Sequence, residues 1–137
     1  MSNKKKPFAT AVLTIKSKST RQAVRSDKAA KIFVDSGASV TVLPEHMART
    51  MESKIGAIPS DNININTVGG PKSVRRLKNV ELCLGHVCAA SDVIVTDGSF
   101  GDVAIGADFL TRAKCSIDFD KKEMKCGGKK IKFTMER

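Results

Sequence analysis

One short stretch of the sequence carries a carboxylate at a position suited to chemistry. Asp35, Ser36 and Gly37 directly follow the apolar residues 32–34, whose types favour a β-strand. A carboxylate in a core costs several kcal/mol unless it is paired or neutralised. Asp, Ser and Gly are also common turn residues. Asp35 therefore either forms a turn or is a candidate catalytic residue, and the rest of the chain has to decide between the two.

Two other stretches carry glycines at points where a strand breaks. Ile63, Ile65 and Thr67 alternate with asparagines, which is the period of a strand, and Gly69 and Gly70 then interrupt it. This pattern predicts a β-hairpin with a flexible tip. Residues 103–119 predict an apolar strand, a helix from about residue 107 and a strand over residues 116–119.

The remaining patterns predict a mainly β fold with one or two short helices. Residues 8–18 predict a strand, and residues 44–56 predict a short helix, with Pro44 near its start and Gly56 after its end. Further hairpins are expected to turn at residues 85–86 and 127–128. Residues 1–7 are expected to form a flexible basic arm, and residues 8–137 a single domain.

At this point three stretches together resemble one family, the retropepsin-like aspartic proteases. "FVDSGAS" is similar to the family's catalytic turn, "TVGGPKS" lies where the family has its glycine-rich flap, and "VAIGADFLTRAKCSIDF" resembles its second signature. The resemblance covers roughly residues 30–133. The long basic end of the chain is more similar to retrotransposon-derived or Ddi1-like domains than to compact viral enzymes. The implied fold is the retropepsin-like acid protease fold, a closed, partly barrel-like β structure that is active as a C2 homodimer.

The resemblance also implies an active site that one chain only half supplies. Aspartic proteases hold two carboxylates against one water, and the two share a proton. This chain has a single Asp-Ser/Thr-Gly motif, so a second copy is expected to provide the other Asp35 across a twofold axis. Ser36, Gly37 and Ala38 would complete the active-site turn. The expected flap consists of Thr67, Val68, Gly69, Gly70 and Pro71, and the expected substrate pocket includes Ile65, Val103 and Ile105.

The four cysteines are interpreted as free thiols in a reducing compartment. The amino-terminal sequence is a poor secretory signal, which favours an intracellular location, in the cytoplasm or within virus-like particles. Cys83, His86 and Cys88 do not have the spacing of a zinc finger, and no matching pair follows at Cys115 and Cys126. A hairpin turning near His86 would instead make Cys83 and Cys88 packing neighbours. Neither a metal nor another cofactor is expected.

The charge pattern leaves nucleic acid as a minor alternative. The net charge is +10, and the basic residues are concentrated toward the two ends of the chain. Because the chain has six Phe but no Tyr or Trp, a platform for stacking bases is not expected. We therefore do not expect nucleic acid as the main partner, although a basic nucleic-acid-associated module remains a third hypothesis. No apolar run approaches the roughly 18 residues of a membrane helix.

The leading functional hypothesis is an aspartic endopeptidase that cuts extended polypeptide segments. A homodimer would activate water with its two Asp35 residues, and a Gag-like polyprotein of a retroelement would be one substrate. The alternative is a catalytically silent, retropepsin-like dimer that binds peptides or proteins without cutting them. The intact Asp35-Ser36-Gly37 turn and the glycine-rich flap favour the enzyme.

Overall fold

The computed structural model describes residues 6–97 and 102–136. Thirteen strands and two helices lie in these ranges. In chain order they are β1 (Lys6–Ala11), β2 (Leu13–Ser17), β3 (Gln22–Arg25), β4 (Ala30–Val34), β5 (Thr41–Pro44), α1 (Glu45–Ile55), β6 (Ser60–Thr67), β7 (Gly70–Leu84), β8 (Val87–Thr96), β9 (Val103–Ile105), α2 (Ala107–Arg112), β10 (Cys115–Asp118), β11 (Glu123–Cys126), β12 (Lys129–Lys132) and β13 (Thr134–Glu136). The prediction of a mainly β fold with one or two short helices is confirmed.

Ten of the strands form one large sheet in the order β13-β1-β4-β9-β5-β8-β7-β2-β3, with β6 paired to β7. Most pairs are antiparallel, but β4 with β9 and β5 with β8 are parallel. The predicted closed barrel is wrong, because the strand order ends at β3 on one side and at β13 on the other. The edge strand β3 exposes Gln22, Ala23 and Arg25, and a charged, solvated edge of this kind discourages further pairing.

A smaller sheet follows α2 and consists of β10, β11 and β12 in sequence order. It contains the predicted hairpin, in which Cys126 pairs with Lys129 around Gly127 and Gly128. Both glycines have positive φ angles, 57° and 88°, which other residues rarely adopt. Its strands β11 and β12 carry several lysines of the basic region near the carboxyl end of the chain, and its strand β10 lies beside α2.

The helix predicted after Pro44 is present as α1. It begins at Glu45 and ends at Ile55, and the amide of Gly56 donates to the carbonyl of Glu52 at 2.7 Å. Gly56 has a φ of 87°, so a glycine is suited to ending the helix there. Ala48 and Met51, three residues apart, are buried, so this face of the helix packs against the core.

The predicted boundary of the basic arm is wrong at its carboxyl end. Lys6 and Pro7 belong to β1, where they pair with Glu136 and Met135 of β13. The physical reason is that the far end of the chain returns to supply a strand partner. The other residues of the predicted arm, 1–5, lie outside the described residues.

The interpretation of the cysteines as free thiols is also wrong for this structure. Cys83 is bonded to Cys88, and Cys115 is bonded to Cys126. In both pairs the two residues face each other across neighbouring antiparallel strands, with Cα atoms 4.0 Å apart. The predicted proximity of Cys83 and Cys88 is therefore confirmed, but it places the two sulfurs within bonding reach.

The hydrophobic core is formed by strands of both sheets and by the two helices. Its fully buried side chains include Leu13, Ile15, Ile32, Ile105 and Phe109. Phe109 comes from α2, so this short helix is anchored by one large aromatic side chain. None of the helices in the described residues has the length and apolar character needed to cross a membrane.

Candidate active site

The Asp35 turn is formed where β4 ends. Asp35, Ser36 and Gly37 are all exposed. The amide of Gly37 donates to Oδ1 of Asp35 at 3.1 Å, and the amide of Ala38 donates to the carbonyl of Asp35 at 3.1 Å. A carboxylate that binds a backbone amide two residues ahead forms a local turn. The turn therefore orients the carboxylate while leaving it open to solvent.

A second segment holds this turn from behind. The amide of Asp35 donates to the carbonyl of Ile105 at 2.9 Å, and the amide of Ala107 donates to the carbonyl of Ala38 at 2.7 Å. Between these two contacts stands Gly106, where a Cβ would lie 2.4 Å from the carbonyl oxygen of Val40. The junction of β9 and α2 thus crosses the Asp35 turn so closely that only a glycine fits.

An apolar cavity of about 670 Å³ opens beside Asp35. Its wall consists mainly of apolar side chains with a few polar and charged ones. The lining residues are Lys6, Pro7, Phe33, Val34, Asp35, Ser36, Ala38, Val42, Asp102, Ala104, Ile117 and Phe119. Phe119 is 57% exposed. The Asp35 carboxylate thus lies in the wall of a largely apolar groove.

The structure corrects two of the predicted pocket residues. Val103 and Ile105 are almost fully buried in the hydrophobic core, and the residue between them, Ala104, lines the cavity instead. Successive side chains of a strand point to opposite faces of the sheet. An error of one residue in the predicted orientation therefore exchanges the residues that face the core with those that face the pocket. Phe33 and Val42 were not predicted as pocket residues, yet they line the cavity from β4 and β5, the strands on either side of β9.

The segment predicted as the flap forms a β-hairpin, which consists of β6 and the first part of β7. Thr67 pairs with Gly70 at its tip, and Gly70 has a φ of 107°. Val68 at the tip is fully exposed, and Ile65 is half-buried. Among the described residues that line the Asp35 cavity, none belongs to this hairpin. The hairpin therefore forms no part of the wall of this cavity within one chain.

Ion pairs fix the base of the hairpin. Arg75 of β7 donates to both carboxylate oxygens of Glu52 in α1, at 3.2 Å to Oε2, and the amide of Ile58 donates to the same Oε2 at 2.7 Å. Burial acts to raise the pKa of Glu52, but the hydrogen bonds from Arg75 and Ile58 outweigh it and hold that pKa below its ordinary value. Arg76 likewise binds both oxygens of Asp61 within the hairpin.

One group of potential metal ligands is found in the described part of the chain. It consists of Glu81, Cys83 and Cys88, with ligand atoms within 4.8 Å of one another. The two sulfurs are bonded to each other, however, and a thiolate rather than a disulfide sulfur is the species that binds metals. The arrangement therefore gives no support to a metal centre in this oxidised form.

The sequence did not reveal the hydrogen bonds that surround Asp108. This residue lacks the Asp-Ser/Thr-Gly context of a catalytic carboxylate. In the structure its carboxylate accepts hydrogen bonds from Thr41 of β5 and Ser91 of β8. Thr41 lies 67 residues from Asp108, so no local pattern could have linked them.

The fold, the exposed Asp35 turn and its crossing by a glycine junction together define a retropepsin-like domain. Residues 22–112 match the family described as "gag-polyprotein putative aspartyl protease". This match covers more than half of the chain and includes both the Asp35 turn and the Gly106 junction. The chain therefore belongs to this family of Gag-type aspartyl proteases.

Relatives and a solved structure agree with this assignment. DNA damage-inducible protein 1 of Candida glabrata is 30% identical over 109 residues, which cover 77% of this chain and 25% of that protein. The protein of the same name from Yarrowia lipolytica is 27% identical over 111 residues, covering 78% of this chain and 27% of that protein. The chain thus spans about a quarter of the length of these relatives. The crystal structure of the retroviral protease-like domain of Ddi1 from Leishmania major is similar in fold, with a TM-score of 0.55, 19% identity, and coverage of 92% of this chain and 94% of that one.

Proposed function

We propose that this chain is an aspartic endopeptidase whose active unit is a C2 homodimer. The observation that carries the proposal is the exposed Asp35 carboxylate, held by the amide of Gly37 at the mouth of an apolar groove. The chain supplies one Asp-Ser-Gly turn, and an aspartic protease needs two facing carboxylates. A second copy that presents the same turn across a twofold axis would complete the site.

In the proposed reaction the two Asp35 residues have different protonation states. The ionised Asp35 takes a proton from the attacking water, while the protonated Asp35 donates a hydrogen bond to the scissile carbonyl. The resulting tetrahedral species collapses when the protonated Asp35 gives its proton to the leaving amine. The other Asp35 keeps the proton taken from water, so the pair again holds one proton. Two carboxylates about 3 Å apart cannot both carry a charge easily, so the pair shares one proton. Ser36 would bond across the interface and hold the two turns together.

The hairpin at residues 60–77 is proposed to act as the flap. An extended peptide would bind as an added strand beneath it, and its closure would exclude water from the reacting groups. The apolar wall formed by Phe33, Val42 and Ala104 favours substrates with apolar side chains beside the cut. The hairpin does not line the Asp35 cavity of its own chain, so as a flap it would close by moving or would cover the site that a second copy completes.

A Gag-like polyprotein of a retroelement is the proposed natural substrate. Its support is the description of the matching family, which names the gag polyprotein. A recombinant precursor that contains this chain and its flanking sequences would test the proposal. We expect defined fragments from the wild-type precursor and an intact precursor when Asp35 is replaced by Asn.

A mixing experiment tests the catalytic unit. Wild-type protein and the Asp35→Asn variant are each assayed on a pool of extended peptides from mildly acidic to neutral pH. They are then mixed in equal amounts, left until their subunits have exchanged, and assayed again. Random pairing gives two Asp35 residues in only about one quarter of the dimers. We therefore expect about one quarter of the activity of the same total amount of wild-type protein.

The outcomes of the mixing experiment distinguish the dimeric enzyme from the alternative hypotheses. Half of the activity would indicate a site contained within one chain and would refute the dimeric site. Cleavage that persists in Asp35→Asn alone would refute the role of Asp35. A wild-type dimer that binds peptides but never cuts them would favour the silent binding module over the enzyme.

A further inference from the structure

The carboxylate of Asp108 joins three separate elements of the fold. Its Oδ1 accepts a hydrogen bond from Oγ1 of Thr41 at 3.0 Å and from the amide of Phe109 at 2.7 Å. Its Oδ2 accepts from Oγ of Ser91 at 3.0 Å and from the amide of Asp92 at 3.2 Å. The charge is thus satisfied by four neutral donors from β5, β8 and α2, which suits a group that must stay in one orientation.

Thr41 connects Asp108 to the residue that supports the active-site turn. Its hydroxyl donates to Asp108 and accepts from the buried amide of Gly106 at 3.2 Å. Thr41 is itself only 1% exposed, so no solvent can replace either partner. Gly106 stands between the two backbone hydrogen bonds that hold the Asp35 turn in place.

A carboxylate is better suited to this position than an amide. An ionised Asp can only accept hydrogen bonds, so the hydroxyl proton of Thr41 must point toward it. The lone pairs of that hydroxyl are then available to the amide of Gly106. An Asn at position 108 could donate to Thr41 instead, and the direction of the hydroxyl would no longer be fixed.

We propose that Asp108 is a positioning residue for Asp35 and that it acts through Thr41 and Gly106. This inference rests on the proposed aspartic protease function, but the positioning itself can be measured without catalysis. Asp108 does not touch the substrate in this view. Asp108 fixes the β9–α2 junction, and the junction fixes the position and orientation of the Asp35 carboxylate in the groove.

The main test compares two Thr→Val substitutions that have the same shape. Thr41→Val removes the hydroxyl of the relay. Thr96→Val is the matched control, because Thr96 is also buried in a strand and its hydroxyl has no hydrogen-bond partner among the described residues. Thr41→Ser keeps a hydroxyl at the relay position, and Asp108→Asn keeps the shape of the carboxylate while changing its donors. All four are assayed for kcat and KM and for folded fraction.

We expect Thr41→Val to lower kcat at least about tenfold at an unchanged KM, since small misplacements of catalytic groups have effects of this size or larger. Asp108→Asn should act in the same direction and keeps the test available if Thr41→Val does not fold. Thr41→Ser should restore most of kcat, and Thr96→Val should match the wild type. A normal kcat in folded Thr41→Val or Asp108→Asn would overturn the proposal. A loss of folded fraction with normal kcat per folded molecule would do the same.

Amide hydrogen exchange decides the question even if the wild type cuts no peptide. The amide of Asp35 donates to Ile105, and it should exchange faster in folded Thr41→Val than in the wild type or in Thr96→Val. Unchanged exchange at Asp35 would overturn the positioning role. Absence of cleavage by the wild type, by contrast, would refute only the proposed enzymatic function.

Discussion

Gly106 is the position where a single added methyl group should do the most damage. A Cβ there would lie 2.4 Å from the carbonyl oxygen of Val40, 2.7 Å from its carbonyl carbon and 2.8 Å from the carbonyl oxygen of Ala38. Favourable contacts between carbon atoms lie at about 3.5–4.0 Å, so backbone atoms would have to move by about 1 Å. The φ of −106° and ψ of −173° at Gly106 suit any residue, and the whole cost of Gly106→Ala is therefore steric.

The expected size of this effect follows from which atoms must move. Overpacking a core typically costs about 1–3 kcal/mol when side chains can adjust. Here the obstructing atoms are backbone, and Ala38 belongs to the Asp35 turn. We therefore expect Gly106→Ala to lower the free energy of unfolding by about 3 kcal/mol or more, a large share of the roughly 5–15 kcal/mol of an ordinary domain. Peptide cleavage per folded molecule should fall by about a hundredfold.

Urea unfolding and peptide cleavage measure the two parts of this prediction. Gly85→Ala is the control, because a Cβ at Gly85 has open space and meets only the strain of a φ of 58°. That strain should cost about 1–2 kcal/mol and leave activity per folded molecule unchanged. If Gly106→Ala unfolds within about 0.5 kcal/mol of the wild type and cuts peptides normally, the close crossing described for the turn is incorrect.

Two further predictions concern stability. The pKa of Glu52 is lowered in the folded state, because the hydrogen bonds from Arg75 and Ile58 outweigh the effect of burial. The stabilisation that Glu52 gives the folded state is therefore complete above the unfolded-state pKa of about 4.3. It is lost as the pH falls through the lower folded-state pKa. Glu52→Gln should thus cost about 1–3 kcal/mol of unfolding free energy near neutral pH and progressively less in acid, whereas a constant deficit would contradict the ion pair. Thiol labelling of the denatured, unreduced protein should modify no cysteine, and replacing Cys115 and Cys126 by Ser should lower the unfolding free energy by about 2 kcal/mol in chemical denaturation; four labelled thiols or an unchanged stability would refute these disulfides.

Elements with local signals could be predicted from the sequence. Helix α1 lies between Pro44 and Gly56, and both residues act within one turn of the helix ends. The three hairpins turn at glycines that interrupt alternating strands. In each case the residues that specify the element are neighbours in the chain, so a single sequence contains the relevant information.

Features that depend on distant partners could not be predicted in this way. Lys6 and Pro7 look like part of a charged tail until β13 is known to lie beside them. The two cysteine pairs are only 5 and 11 residues apart in the chain, so distance was not the obstacle there. The poor secretory signal favoured a reducing environment, although the predicted hairpin already placed Cys83 beside Cys88. Val103 and Ile105 were predicted to line the pocket in place of Ala104. The error arose because a three-residue strand has too few positions to reveal which face is buried.

The Asp35 turn and the Gly106 junction are separate motifs in the sequence, but in the structure they contact each other and form one hydrogen-bonded unit. Asp35 donates to Ile105, Ala107 donates to Ala38, and the gap between them has no room for a side chain at Gly106. A random Asp-Ser-Gly needs no such partner, since it can form its turn alone. The presence of both stretches therefore carries more weight than either one, because each provides the hydrogen bonds and the space that the other requires. The same crossing divides the site into two sides. The chain's own backbone fixes the back of the turn, and the front is exposed, where the proposed substrate and second copy of the turn would lie.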